Sequence, residues 1–197
     1  MPHIEKRVAM ILRNRRILLI SIAVAIMTAI WMERYTLLYH YYLWRLNNTV
    51  EGSEIMDLGD RIQALGPHVV SLLVRTYEDV RASGKSRGAA ASALTKVDKE
   101  KAKALFFRYL SSENEEIIAD AIFDLGNAQG IEYYTDVLKF VNSPSENIRW
   151  AVVYYLGKFN NKDSIDLLQR IMATDSSEKV RNAAKYRLQL LGVLPRK

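Results

Sequence analysis

From Ser53 onward apolar residues recur at intervals of three and four, in segments separated by short polar breaks, and no strand-like alternation persists beyond a few residues. The segment 53–65 carries Ile55, Leu58, Ile62 and Leu65 at helical spacing. Gly66-Pro67 ends that helix and starts the next, which turns Val69, Leu72, Leu73 and Tyr77 inward. Paired helices follow at 85–97 with 99–110, 113–125 with 129–141 and 144–159 with 162–173, and a last helix covers 177–191. Ser112-x-x-Glu115, Ser143-x-x-Glu146 and Asp175-x-x-Glu178 read as capping boxes. Gly126, Gly157 and Gly192 stand where left-handed helix caps are expected.

Four of these segments are copies of one another. Ile148-Arg-Trp-Ala-Val-Val-Tyr-Tyr-Leu-Gly157 aligns with stretches starting at Ser86, Ile117 and Val180, so the copies are 31, 31 and 32 residues apart. A two-helix unit cannot hide both of its apolar stripes alone, and a repeat of this period solves the problem by stacking neighbours. Ala89, Ala151 and Ala183 are expected to let the helices pack closely, and Leu94, Leu125, Leu156 and Leu188 to fill the shared core. The third copy departs from the pattern, with Asp120 in the small-residue position. An exposed Asp120 or a one-residue slip that puts Ala121 there is the preferred reading, since an unpaired buried carboxylate is costly; the alternative is a cross-stack pair with Arg87 or Arg149.

The repeated helix resembles the HEAT-like family, in the short variety named after phycobilisome lyases, whose second helix reads roughly V-R-x-x-A-x-x-x-L-G. Ile148, Arg149, Ala151, Leu156 and Gly157 match it, as do Val180, Arg181, Ala183 and Leu188; Arg87, Ala89 and Leu94 match less fully. The resemblance covers about 53–192 and implies an all-α, right-handed α-solenoid. It says little about activity, because such folds serve enzymes and scaffolds alike.

Before the repeats, 17–32 runs sixteen residues without a charge. At 1.5 Å per residue that is roughly 24 Å, short of a ~30 Å hydrocarbon core by an amount that flanking residues can supply. Arg16 and Arg34 can snorkel, and Trp31, Tyr35, Tyr39, Tyr41, Tyr42 and Trp44 suit an aromatic belt. A cleaved signal at Ala23-Val24-Ala25 leaves too short an apolar region, so an uncleaved single transmembrane helix is expected. Ser21, Ala25 and Ala29 fall on one stripe that would admit a packing helix. The domain plan is therefore a basic cytoplasmic 1–16, a membrane helix 17–32, an aromatic interfacial helix and linker 33–52, and repeats from 53 to 197.

Charge supports this plan. The chain carries +6, of which residues 1–51 hold +4 beside the apolar run. A nucleic-acid reader concentrates its positive charge on the folded domain, so nucleic acid is not expected as a partner. Within the repeats, Lys85 to Arg108 is basic and Glu113 to Asp136 acidic, a segmentation able to steer a complementary partner. With no cysteine, thiolate metal sites and disulfides are excluded. His3, His40 and His68 stand apart from other ligand-type residues, and no cofactor or catalytic set is expected.

These readings converge on a membrane-anchored interaction scaffold, an accessory subunit of a bacterial inner-membrane complex. Its partners are other subunits and lipid, met through the membrane helix and through Tyr133, Tyr154, Glu115, Glu116, Asp124, Lys99 and Lys103. A bilin lyase-like enzyme and a nucleic-acid-binding solenoid are the alternatives. The excess of Lys6, Arg7, Arg13, Arg15 and Arg16 before the run puts the N-terminus in the cytoplasm and the repeats in the periplasm. Alkaline phosphatase fused after Lys197 is then expected to be active in bacterial cells and a fluorescent protein fused there dark; the reverse pair of results inverts the topology.

Overall fold

The computed structural model describes the backbone of residues 2–195 and the side chains of 17–31 and 33–195, with helices and no strand among them. The helices are α1 (Pro2–Asn48), α2 (Gly52–Ala64), α3 (Val70–Glu78, entered by a 3-10 turn at Gly66–Val69), α4 (Gly84–Val97) and α5 (Lys99–Tyr109). There follow α6 (Glu115–Asn127), α7 (Tyr134–Leu138, entered by a 3-10 turn at Ile131–Tyr133), α8 (Glu146–Leu156), α9 (Lys162–Thr174) and α10 (Glu178–Leu190). Helices α2, α4, α6, α8 and α10 succeed one another in one layer, while α3, α5 and α9 back them in a second. Tyr134 of α7 meets Tyr155 of α8, which extends the second layer past α5.

The shared core follows the repeat. Leu94, Leu125, Leu156 and Leu188 have no exposed surface, as the alignment of copies requires. The column sealed in all four copies lies one residue after the expected one, at Ala90, Ala121, Val152 and Ala184; of the expected alanines Ala151 is also buried, whereas Ala89 and Ala183 are only half-buried. Register is the same in all four copies, so the third copy does not slip. Asp120 occupies the half-buried position of Ala89 and Ala183.

Helix ends also differ from the expected pattern, for a local reason. Ser112, Ser143 and Asp175 accept from the backbone N–H two residues on, at 3.1, 3.2 and 2.8 Å, forming small turns that precede each helix. The cap falls on the residue so presented: Asn114 accepts from Glu116 N and Ile117 N, and Ser177 from Val180 N, while Ser145 makes no such bond. Of the three glycines, only Gly192 is left-handed (φ 76°); Gln129 (φ 54°) takes that role after α6. Gly126 lies inside α6 and Gly157 is right-handed. What they provide is closeness: a Cβ on Gly126 would sit 3.1 Å from Tyr155 Cα, and one on Gly157 2.4 Å from Arg187 Cδ.

The arginine of the repeat has a structural task as well. Arg149 donates to Ser143 O (2.9 Å) and Pro144 O (3.1 Å) and pairs with Asp175 (2.9 Å). Arg181 donates to Asp175 O (2.7 Å) and Ser176 O (3.1 Å). Each thereby ties its helix to carbonyls of the loop before it, satisfying groups that would otherwise be left without partners.

The N-terminal segment departs most from the sequence reading. α1 turns by 55° between Ile17–Trp31 and Glu33–Asn48; no single helix among the described residues is long and apolar enough to cross a membrane, while these two together have the length and composition. Thr28 Oγ1 donates to Val24 O at 2.8 Å just before the turn, a back-bond of the kind that bends helices. Every residue of 17–31 is exposed, Ser21, Ala25 and Ala29 included. The side chains of Lys6, Arg7, Arg13, Arg15 and Arg16, on which the orientation rests, lie outside the described residues, as does His3.

The stretch 33–52, expected as an interfacial helix followed by a linker, packs against the repeats and builds one end of the array. The helix continues to Asn48, and Tyr39 and Leu46 are fully buried against the first repeat units. Tyr39 Oη donates to Thr76 Oγ1 at 2.6 Å, Tyr35 stacks on His68 at 4.1 Å, and Asn47 Oδ1 accepts from Ser83 and Ser86 at 2.5 and 2.9 Å. Lys85 Nζ donates to Thr49 O at 2.7 Å, closing the three-residue break before α2. A linker composition at 47–52 and a buried aromatic face at 35–46 coexist because the turn residues follow the packed face instead of interrupting it. Leu46→Ala is expected to lower the unfolding free energy of the repeats by about 2–5 kcal/mol, while Leu19→Ala leaves it unchanged. Denaturant unfolding followed by circular dichroism checks this, and an unchanged Leu46→Ala midpoint would separate 33–48 from the domain.

Candidate functional site

On the outward face of α4, α6, α8 and α10, two positions of each copy point away from the core. They are Gly88 and Ser92 on α4, Ala119 and Phe123 on α6, Trp150 and Tyr154 on α8, and Asn182 and Tyr186 on α10. On α4 these residues are small, and a Cβ on Gly84 or Gly88 would meet nothing within 4 Å. A cavity of about 540 Å³ opens there, lined by Gly84, Gly88, Ser92, Thr95 and Lys96 on one side and by Glu116, Asp120, Phe123, Asp124 and Asn127 on the other. A second, of about 390 Å³, adjoins it across Glu116, Asp120 and Phe123 and reaches Trp150 and Lys179. Together they make one groove that runs from α4 across α6 and α8 to the start of α10.

Its aromatic wall is pre-arranged. Phe123 stacks on Tyr154 (3.9 Å) and lies nearly parallel to Trp150 (6.1 Å, 10°). Tyr154 is fixed by a 2.7 Å hydrogen bond to Asn127 Oδ1 and by Arg187 and Lys158 over its ring at 4.1 and 4.6 Å. Such cation–π contacts hold the ring with one face committed. The polar wall is acidic, with Glu116, Asp120 and Asp124 one helical turn apart on α6. Asp120 pairs across the stack with Arg87, the less favoured of the two readings of its sequence position. That guanidinium is nearly buried, and its Nε has no hydrogen-bond partner among the described residues.

Of the residues expected to contact partners, the structure gathers three in this groove: Glu116, Asp124 and, in its aromatic wall, Tyr154. Glu115 is exposed nearby on α6. Lys99, Lys103 and Tyr133 lie elsewhere. Lys103 is buried, not free for a partner, and pairs with Glu132 (2.5 Å) and Glu100 (2.9 Å); these bonds hold its ammonium above the usual lysine range. Lys99 donates to Gln129 at 3.2 Å, and Tyr133 stacks on Phe107 at 4.5 Å. Much of the charge segmentation is thus spent between neighbouring units, through Arg87–Asp120, Lys103–Glu132, Arg108–Glu78 and Lys179–Glu146. Phe123, Trp150 and the small residues of α4 were missed by sequence reasoning. The signal was present, because they share two registers of the aligned copies.

Burial pushes the Asp124 carboxyl up to about 8, and the neighbouring Asp120 charge adds to the effect. Asp120 itself is raised by burial, against the pull of Arg87. A carboxyl raised on folding is held protonated in the native state after the unfolded chain, near 3.9, has lost its proton. Its contribution to stability is therefore full below pH ~4 and declines up to pH ~8. Asp124→Asn removes the decline. The melting temperature of the variant minus that of the parent chain is expected to grow from pH 4 to pH 8 and to level off above; a constant difference would show that Asp124 does not titrate in this way.

Residues 109–189 match the family of HEAT repeats, a stretch that runs from the end of α5 through nearly all of α10. The match supports a HEAT-like repeat array and an α-solenoid, without singling out the phycobilisome-lyase variety. HEAT repeats in general mediate protein interactions. No curated protein matches the chain.

Proposed function

We propose that the chain is a membrane-anchored interaction scaffold, an accessory or assembly subunit of a bacterial inner-membrane complex, with its repeats in the periplasm. The observation that carries this reading is the exposed apolar run Ile17–Trp31 on the same helix whose second half builds the end of the array. An array that presents a preformed groove is suited to hold one partner beside that helix, and lipid or another subunit's helix covers the run itself. The reading is of binding without catalysis or cofactor. The carboxylates of Glu116 and Asp120 set the groove against nucleic acid, whose phosphates require a positive track.

The aromatic wall is where a partner is expected to gain most, since large, rigid aromatic side chains dominate interface energetics. Purification of the intact protein in mild detergent is expected to bring down a defined membrane partner. Trp150→Ala combined with Glu116→Arg should abolish that capture, while Asp166→Arg on the opposite layer, also exposed, leaves it intact. A protein that migrates alone, or a partner retained equally by both variants, counts against the scaffold reading and its groove respectively.

A further inference from the structure

The second half of α1 has two aromatic faces, and the repeats cover only one. Tyr35, Tyr39, Tyr42, Leu43 and Leu46 pack inward. The opposite face carries Leu37, Tyr41 and Trp44 at intervals of four and three, and these remain 56%, 49% and 60% exposed. The Tyr41 and Trp44 rings lie 6.4 Å apart along this stripe. Charged groups flank it: Arg45 hydrogen-bonds the Tyr41 hydroxyl at 3.3 Å and pairs with Glu54, and Arg34 lies over the rings of Trp31 and Tyr35 at 4.4 and 4.7 Å. An apolar and aromatic stripe edged by arginines suits the boundary between headgroups and acyl chains, where Tyr and Trp are enriched and cationic side chains reach outward.

Two features of the chain select a bilayer as the occupant. The stripe is continuous through the chain with the exposed run Ile17–Trp31, and the 55° turn between them lays Glu33–Asn48 well away from the axis of that run. If the run stands along the bilayer normal, the second half leans toward the surface, in the attitude of an interfacial helix. Because its inner face is bonded to Thr76 and stacked on His68, the repeats must follow that attitude.

We propose that Leu37, Tyr41 and Trp44 form a lipid-contacting face that seats the first repeat directly on the membrane surface, so that the array is clamped to the bilayer and not carried on a stalk. This rests on the anchoring reading above, and the chain's three tryptophans separate the two. Trp31 ends the apolar run, Trp44 is on the outer stripe, and Trp150 is in the groove of α8. Full-length variants that keep one tryptophan each, the other two changed to Phe, are reconstituted in phosphatidylcholine–phosphatidylglycerol vesicles whose acyl chains are brominated near the carbonyl end. Trp31 and Trp44 are expected to lose most of their emission and Trp150 to keep its own. Leu37→Lys is expected to restore much of the Trp44 emission without affecting Trp31. Quenching of Trp31 with Trp44 as bright as Trp150 overturns the seating and leaves the anchor. Quenching of Trp44 alone upholds the face and removes the anchor, and bright emission from all three removes both.

Discussion

How closely successive helices of one layer approach is the constraint on which the groove depends. Between α6 and α8 the approach is set by Gly126, whose missing side chain leaves room for the Tyr155 backbone, and between α8 and α10 by Gly157 against Arg187. In the copy before them the same position is Thr95. That side chain lines the 540 Å³ cavity, and α4 meets α6 far less extensively than α6 meets α8. One position in the repeat therefore distinguishes a closed seam from an open one. The aromatic wall follows from the closed seams, because Phe123, Trp150, Tyr154 and Arg187 overlap only where the helices are close.

Most of the architecture could be read from the chain in advance, because a repeat multiplies its own evidence. Four aligned copies placed the buried leucines at 94, 125, 156 and 188 without ambiguity, and helix limits came within a few residues. What the alignment could not supply was direction around the helix at finer than one residue. Position 120 therefore looked anomalous when the sealed small residue was in fact 121. Punctuation misled in a similar way. A serine three residues before a glutamate fits a capping box, yet here Ser112 and Ser143 shape the preceding turn, and Asn114 caps α6. Glycine at a helix end suggests a left-handed cap when its real use at 126 and 157 is steric.

Charge was read along the chain when it acts across it. Arg87 with Asp120, Lys103 with Glu132, and Lys179 with Glu146 are each about one repeat apart, so a basic unit followed by an acidic one is partly a description of mutual neutralisation. Exposed members of such pairs add little to stability. The nearly buried Arg87 is different, since its charge is removed from water and needs a counter-charge. Asp124 is the residue left over. It makes no ion pair of its own among the described residues, and burial, with the Asp120 charge beside it, raises its affinity for a proton.

The continuity of α1 has a mechanical meaning. A domain joined to its neighbour by a loose tether can swivel, and whatever pulls on it is felt only as tension. Here the chain passes from Ile17–Trp31 into the repeats as one helix, and Tyr39 bolts that helix to Thr76. Rotation of the first half about its own axis is thus delivered to the array as torque, and the 55° angle between Ile17–Trp31 and Glu33–Asn48 sets the direction from which it arrives.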